Sequence, residues 1–232
     1  MPILTEEEER RLLVEWNETA SEYPRSLCLH ELFEEQARRR PDAVAVVHGA
    51  EQVTYRELNE RANRLAHYLR ARGVGPETPV AVLLNRSLDL IVGLLGILKA
   101  GGAYVPLDAE YPQERLGWML DDSAARVLLS ETQLLARLPE HSARVVCLDT
   151  DSRLVAAESA RNPAPNTFAD NLAYVMYTSA RPGARRAWGS RSGPWRGSSS
   201  KRTTRASRPT KSSSSTRPSR STPRPSRCGA LC

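Results

Sequence analysis

Absences divide this chain in two. Beyond residue 179 there is no Asp, Glu, Val, Ile, Met, Phe or Tyr, and Leu231 is the only aliphatic side chain larger than Ala or Pro. So little apolar surface cannot offset the entropy of ordering a chain, so residues 180–232 are expected to form a disordered Arg/Ser/Pro-rich tail. The cysteines, at 28, 147, 228 and 232, lack C-x-x-C spacing and a nearby His cluster. That speaks against a zinc site and against a disulfide framework, and it fits a reducing compartment. No window approaches ~18 uninterrupted apolar residues, so no membrane-spanning helix is expected. The opening MPILTEEEERR puts acids where a signal peptide carries bases, and cytoplasmic residence is the expectation.

The formal charge of +6 is split just as sharply. The tail holds fourteen Lys and Arg and no acid, whereas residues 1–179 hold nineteen bases against twenty-seven acids, a net of −8. An acidic body argues against nucleic acid as its main partner, because phosphate binding needs a basic face.

Residues 1–26 read as a short docking helix and an interdomain linker, with Thr5 and acids in a first turn and a break at Tyr23-Pro24. Leu29, Leu32 and Phe33 then make a narrow helical stripe, closed by the bases Arg38 to Arg40 before Pro41. A strand is expected over DAVAVV (residues 42–47). Thr54-Tyr55-Arg56-Glu57 has capping-box spacing ahead of a helix whose Leu58, Ala62, Leu65, Ala66 and Leu69 share one face. VAVLL (residues 80–84) suits a strand covered on both faces, and Ser87 caps a nearly all-apolar helix that stops at Gly101-Gly102. Further strands are expected at 103–107, 126–129, 145–148 and 172–177, with a helix at 114–120. Strands alternating with helices predict an α/β domain with a mostly parallel sheet flanked by helices. In such sheets ligands sit at the carboxyl ends of the strands, here where NLAYVMYTS (residues 171–179) delivers Thr178 and Ser179.

Three segments, VTYRELNERANRLAHYLR, GGAYVPLDAEYPQERL and NLAYVMYTS, resemble the front of a nonribosomal peptide synthetase adenylation domain, of the AMP-dependent synthetase/ligase, adenylate-forming superfamily. The resemblance covers residues 4–179 in the family's order and spacing, and departs from it at Ala109, where the family usually has Pro. It implies a partial N-terminal subdomain of the adenylate-forming, acyl-CoA synthetase-like fold over residues 27–179. For intact relatives it implies ATP and Mg²⁺ as cofactors and formation of an aminoacyl-AMP from an amino acid. The acyl group then passes to a carrier-protein phosphopantetheine thiol, with carrier and condensation domains as partners, in secondary-metabolite biosynthesis.

In that family Y-T-S continues as G-S-T-G-x-P-K-G, a loop whose glycines let backbone amides approach the phosphates of ATP while a Lys offsets their charge. Here Thr178 and Ser179 are the remnant of that loop, followed by Ala180-Arg181-Pro182-Gly183-Ala184-Arg185. Read in the neighbouring frame, the codons for ARPGARRAW (residues 180–188) can spell GSTGRPKGV. The tail is therefore expected to be out-of-frame translation after a single-base deletion near codon 179, and the chain to be inactive with no catalytic residue assigned. The competing expectation is a noncatalytic protein whose basic tail binds nucleic acid or another polyanion.

Among the remaining candidates, Lys99 and the glycines after it read as a helix end and tight turn rather than a phosphate cradle. Tyr104 and Tyr111 read as packing aromatics. Arg64, His67 and His141 read as surface residues.

Overall fold

The computed structural model describes residues 4–19, 24 and 26–178, and the backbone of 186–191 and 200–202. The chain opens with α1 (Glu6–Leu13), whose start is closed by reciprocal bonds between Thr5 and Glu8. α2 (Leu29–Arg39) leads to the hairpin of β1 (Val44–His48) and β2 (Glu51–Thr54), which turns at Gly49 with φ +60°. α3 (Tyr55–Arg70) begins at the expected capping box, where the Thr54 hydroxyl accepts from the Glu57 amide and the Glu57 carboxylate accepts from the Thr54 amide.

From there strands and helices alternate: β3 (Pro79–Leu83), α4 (Leu88–Ala100), β4 (Ala103–Pro106), α5 (Gln113–Ser123), β5 (Val127–Ser130) and β6 (Arg144–Cys147). A short α6 (Ser152–Ala156) precedes β7 (Leu172–Thr178). The main sheet runs β6-β5-β3-β4-β7, all parallel.

The unbroken apolar run of β3 serves both faces at once. Val80 and Val82 point to a core shared with Leu65 and Leu69 of α3 and Ile97 of α4. Ala81 and Leu83 point to a second core with Leu116, Met119 and Leu120 of α5. Each fully buried Leu or Val contributes on the order of 1.5–3 kcal/mol by leaving water. α3 and α4 lie close enough that a Cβ at Gly96 would stand 2.8 Å from Leu65 Cδ2. α4 stops as the sequence predicts, with Gly101 left-handed at φ 101°.

Three expectations need correction. Leu29 is exposed, although Phe33 of the same stripe packs partly buried against the main core, and the buried side chains of α2 are His30 and Ala37. α5 is longer than 114–120, and β2, α6 and the 3₁₀ turn Thr132–Arg137 were not foreseen. Two pieces of the tail, β8 (Arg186–Arg191) and β9 (Ser200–Arg202), are strands where composition predicts no structure; β8 pairs antiparallel with β7, and β9 with β8. The physical reason is the unpaired backbone edge of β7, which accepts a strand whatever its side chains. The rest of residues 180–232 lies outside the described residues.

Candidate site at the carboxyl end of the last parallel strand

β7 is fixed at both ends. At its start Glu77, itself in the left-handed region at φ 60°, accepts hydrogen bonds from Asn171 Nδ2 (2.8 Å) and the Leu172 amide (2.9 Å). At its finish the Tyr177 hydroxyl donates to Asp122 Oδ2 at 2.7 Å, and its ring meets Trp118 edge-on at 5.2 Å. Burial, and then the Asp122 carboxylate, push the Tyr177 phenol well above its ordinary value, so it remains a donor throughout the neutral range. Midway, the Tyr174 ring stacks on Tyr104 of β4 at 5.4 Å, where the two residues are paired in register.

The segment that brings the chain back to β7 is strapped to α3 by a ladder of polar side chains at helical spacing. Asn59 Nδ2 donates to Asn162 Oδ1 (2.9 Å), Asn63 Nδ2 to the Ala160 carbonyl (2.7 Å), and His67 Nε2 lies 3.0 Å from the Arg161 carbonyl. Arg70 completes it, donating to the carbonyls of Ala164 (2.7 Å), Lys99 (2.8 Å) and Ala100 (3.2 Å) and to Asn166 Oδ1 (2.9 Å). One guanidinium thus closes the open end of α4 and holds the strap. Sequence reasoning missed this ladder and left His67 on the surface. The signal was present as Asn, Asn, His and Arg at turn spacing on one helix face.

These constraints aim Thr178, exposed, at the carboxyl edge of the sheet. Ser179 lies outside the described residues. The neighbouring loops are tied to one another: Asn85 Nδ2 donates to Glu131 Oε2 (2.8 Å) and the Thr132 amide to Asp149 Oδ2 (2.9 Å). The hydrogen bonds from Thr132 hold the Asp149 carboxyl below its usual range.

Among the described residues this edge carries more acids than bases. The loops after β4, β5 and β6 present Asp108, Glu131 and Asp149, while the loop after β3 presents Arg86. Lys99, the one lysine of the body, is fully buried against Glu34 of α2. The residues after Thr178 include Pro182, which has no amide hydrogen to donate, and they lack the run of glycines that lets backbone amides converge on an anion.

Two clefts lie elsewhere. One of about 180 Å³ sits between α3, α4 and α6 beside Arg61, Arg64, Asp89 and Ser152, and one of about 800 Å³ opens between α2 and α3. Tyr104 packs as expected, and Tyr111 lies under the Arg115 guanidinium at 3.8 Å. No group of three or more metal-binding side chains occurs among the described residues. Nor is any described helix long and apolar enough to cross a membrane.

Known proteins share this arrangement. A family model described as AMP-binding enzyme matches residues 33–180. Over 184 residues the chain is 55% identical to one of the linear gramicidin synthase proteins of Brevibacillus parabrevis, covering 79% of this chain and 4% of that protein. It is 47% identical over 184 residues to chondramide synthase cmdD of Chondromyces crocatus, covering 78% and 5%. Among solved structures it superposes on the nonribosomal peptide synthetase FmoA3 with a TM-score of 0.70 at 34% identity, over 79% of this chain and 19% of that one. On the N-terminal subdomain of NpsA from Klebsiella oxytoca the TM-score is 0.63 at 26% identity, over 72% and 42%. The chain therefore spans a small fraction of the length of its curated relatives. With a family match that fills more than half of it and stops two residues beyond β7, the chain belongs to the AMP-binding enzyme family and corresponds to the N-terminal part of a nonribosomal peptide synthetase adenylation domain.

Proposed function

We propose that residues 27–179 are the front of an amino-acid-activating adenylation domain, that residues 1–26 are the linker before it, and that residues 180–232 come from a neighbouring reading frame. One coincidence carries this reading: the family match ends at residue 180, β7 ends at Thr178, and the composition changes at the same place. Thr178 and Ser179 are then what remains of a phosphate-binding loop. In an intact relative an amino-acid carboxylate oxygen bonds to the α-phosphorus of Mg²⁺-bound ATP, and pyrophosphate leaves. The acyl group then moves to a carrier-protein thiol with release of AMP. An FmoA3 structure described as AMPPNP-bound supports the nucleotide, and an artificial adenylation-PCP fusion of NpsA supports the carrier partner. Such an enzyme would work in the cytoplasm.

The chain itself is inactive on this reading, because positioning and electrostatics carry the rate of such a reaction and the loop that supplies them is missing. Two experiments test it. Amino-acid-dependent ATP/pyrophosphate exchange above background from the purified chain would overturn the inactivity. Sequencing the genomic template from the codon for Tyr177 past that for Cys232 tests the frame: GSTG and an open run in the neighbouring frame, with or without an additional base, support the reading, and a neighbouring frame that lacks GSTG or is broken by stops defeats it. The tail's fourteen bases and no acid favour the second reading, a polyanion-binding arm, if nucleic-acid binding proves salt-sensitive and vanishes when residues 180–232 are removed.

A further inference from the structure

The cluster that buries Lys99 has no part in the strand-end site. The Lys99 side chain is fully buried, its ammonium on Glu34 of α2. His30, one helical turn before Glu34, is buried as well, and its Nδ1 finds no hydrogen-bond partner among the described residues. The charged groups that bear on the imidazole are Glu34 and Glu31 from α2 itself, Lys99 from α4 and Arg70 from α3. Both acids are engaged: Glu34 holds Lys99, and Glu31 accepts from the Cys28 amide at 2.7 Å. Two cations against two acids leave the cluster balanced while His30 is neutral.

α2 also depends on this cluster more than its neighbours do. Its buried side chains are His30 and Ala37, with Phe33 packed against the main core at partial burial, whereas α3 buries seven. Part of the space between α2 and α3 is the open 800 Å³ cleft bordered by Glu31, Arg38, Asn59 and Arg161. A helix with so little buried surface and a solvated flank is a natural unit of local opening.

We propose that α2 is held on the domain by a buried charge clasp, Lys99 against Glu34 beside a neutral His30, and that the clasp opens when His30 takes up a proton. Protonation places a third cation among two acids, at a depth where solvent does little to spread the charge. Burial, which outweighs the pull of Glu34, keeps His30 below its ordinary value of 6.5 while α2 is docked, and opening α2 restores that value. Below about pH 6.5 the open form therefore binds more protons than the docked form, so docking weakens as pH falls from there. The inference does not rest on the adenylation reading.

Amide hydrogen exchange on the whole chain between pH 7.5 and 5.5, corrected for the intrinsic rate, tests it. The opening constant of α2 should rise as pH falls below the ordinary imidazole value, by at most about tenfold per pH unit and only until His30 protonates in the docked form, while that of α3 stays constant. His30→Gln should flatten the α2 response, and Lys99→Met, which removes the facing cation, should weaken it. A flat wild-type profile, an α3 response in step with α2, or a dependence that survives His30→Gln would overturn the proposal. Should His30→Gln not fold, titration of the wild-type imidazole by NMR decides: a midpoint below the ordinary value supports the clasp, and one at or above it sinks it.

Discussion

Replacing Arg70 removes one side chain and touches three parts of the fold at once. Its guanidinium donates to the carbonyls of Lys99, Ala100 and Ala164 and to Asn166 Oδ1. In Arg70→Met the Ala100 carbonyl keeps a donor, Asn166 Nδ2 at 3.1 Å, and the groups on the strap regain water. The Lys99 carbonyl loses its side-chain donor at the buried end of α4. An orphaned buried acceptor costs roughly 1–3 kcal/mol, and the lost charge-assisted bonds to the strap add about 1 kcal/mol after water replaces them. The expected loss is therefore about 3 kcal/mol in urea unfolding. Arg70→Lys should recover less than half of it, because an ammonium cannot span two carbonyls and a strap with a fixed fork. Coupling to Asn166→Ala in a double-mutant cycle should be about 1 kcal/mol. If Arg70→Lys unfolds within about 0.5 kcal/mol of wild type, the fork geometry is not what holds the strap, and the argument fails.

The Lys99 pair should respond unequally to its two deletions. Glu34→Gln strands a buried ammonium and should cost about 3 kcal/mol, whereas Lys99→Met leaves a carboxylate that can reach water and should cost about 1 kcal/mol, both read by denaturant midpoint; the reverse order would contradict the burial of Lys99. Gly96→Ala should destabilise by about 2 kcal/mol through its clash with Leu65, and a Leu65→Ala background should cancel most of that penalty. Glu77→Ala deletes both bonds at the start of β7 while keeping a strained left-handed backbone, so exchange of β7 amides should accelerate about tenfold with α3 unaffected. Thr54→Ala should cost about 1 kcal/mol by thermal melting, the ordinary value of a lost N-cap.

What could be read in advance was local. The Thr54 and Glu57 box, the Ser87 cap and the Gly101 stop are each written within four residues, and the structure has all three. The apolar run of β3 announced a strand covered on both faces, and it is one. The inward face of α2 was only partly legible, because it is also set by Lys99, sixty-five residues away from Glu34 in sequence. The stripe of Leu29, Leu32 and Phe33 did bring Phe33 against the core, but it left Leu29 in solvent and gave no sign that His30, Glu34 and Ala37 also face inward. The ladder on α3 was hidden for the same reason, its partners on the strap lying 94 to 103 residues further along. Thr178 was placed correctly at a strand end by the pattern of the last apolar run, but nothing in that run revealed Glu77 and Asp122 as the groups that hold it.

The two anchors of β7 also have an order in time. Glu77, Tyr104, Trp118, Asp122 and the whole polar face of α3 are translated before the strand they receive. When a ribosome adds Thr178, every described side chain that β7 needs has already been made, and N-terminal parts of a chain fold as they emerge. On the proposed reading, a deletion near codon 179 therefore comes after every described group that holds the five parallel strands. It changes only what is attached to them. The strapped front carries Met176 and Phe168 uncovered on its surface. Its fate would be decided by how quality control treats exposed apolar side chains on an otherwise finished sheet.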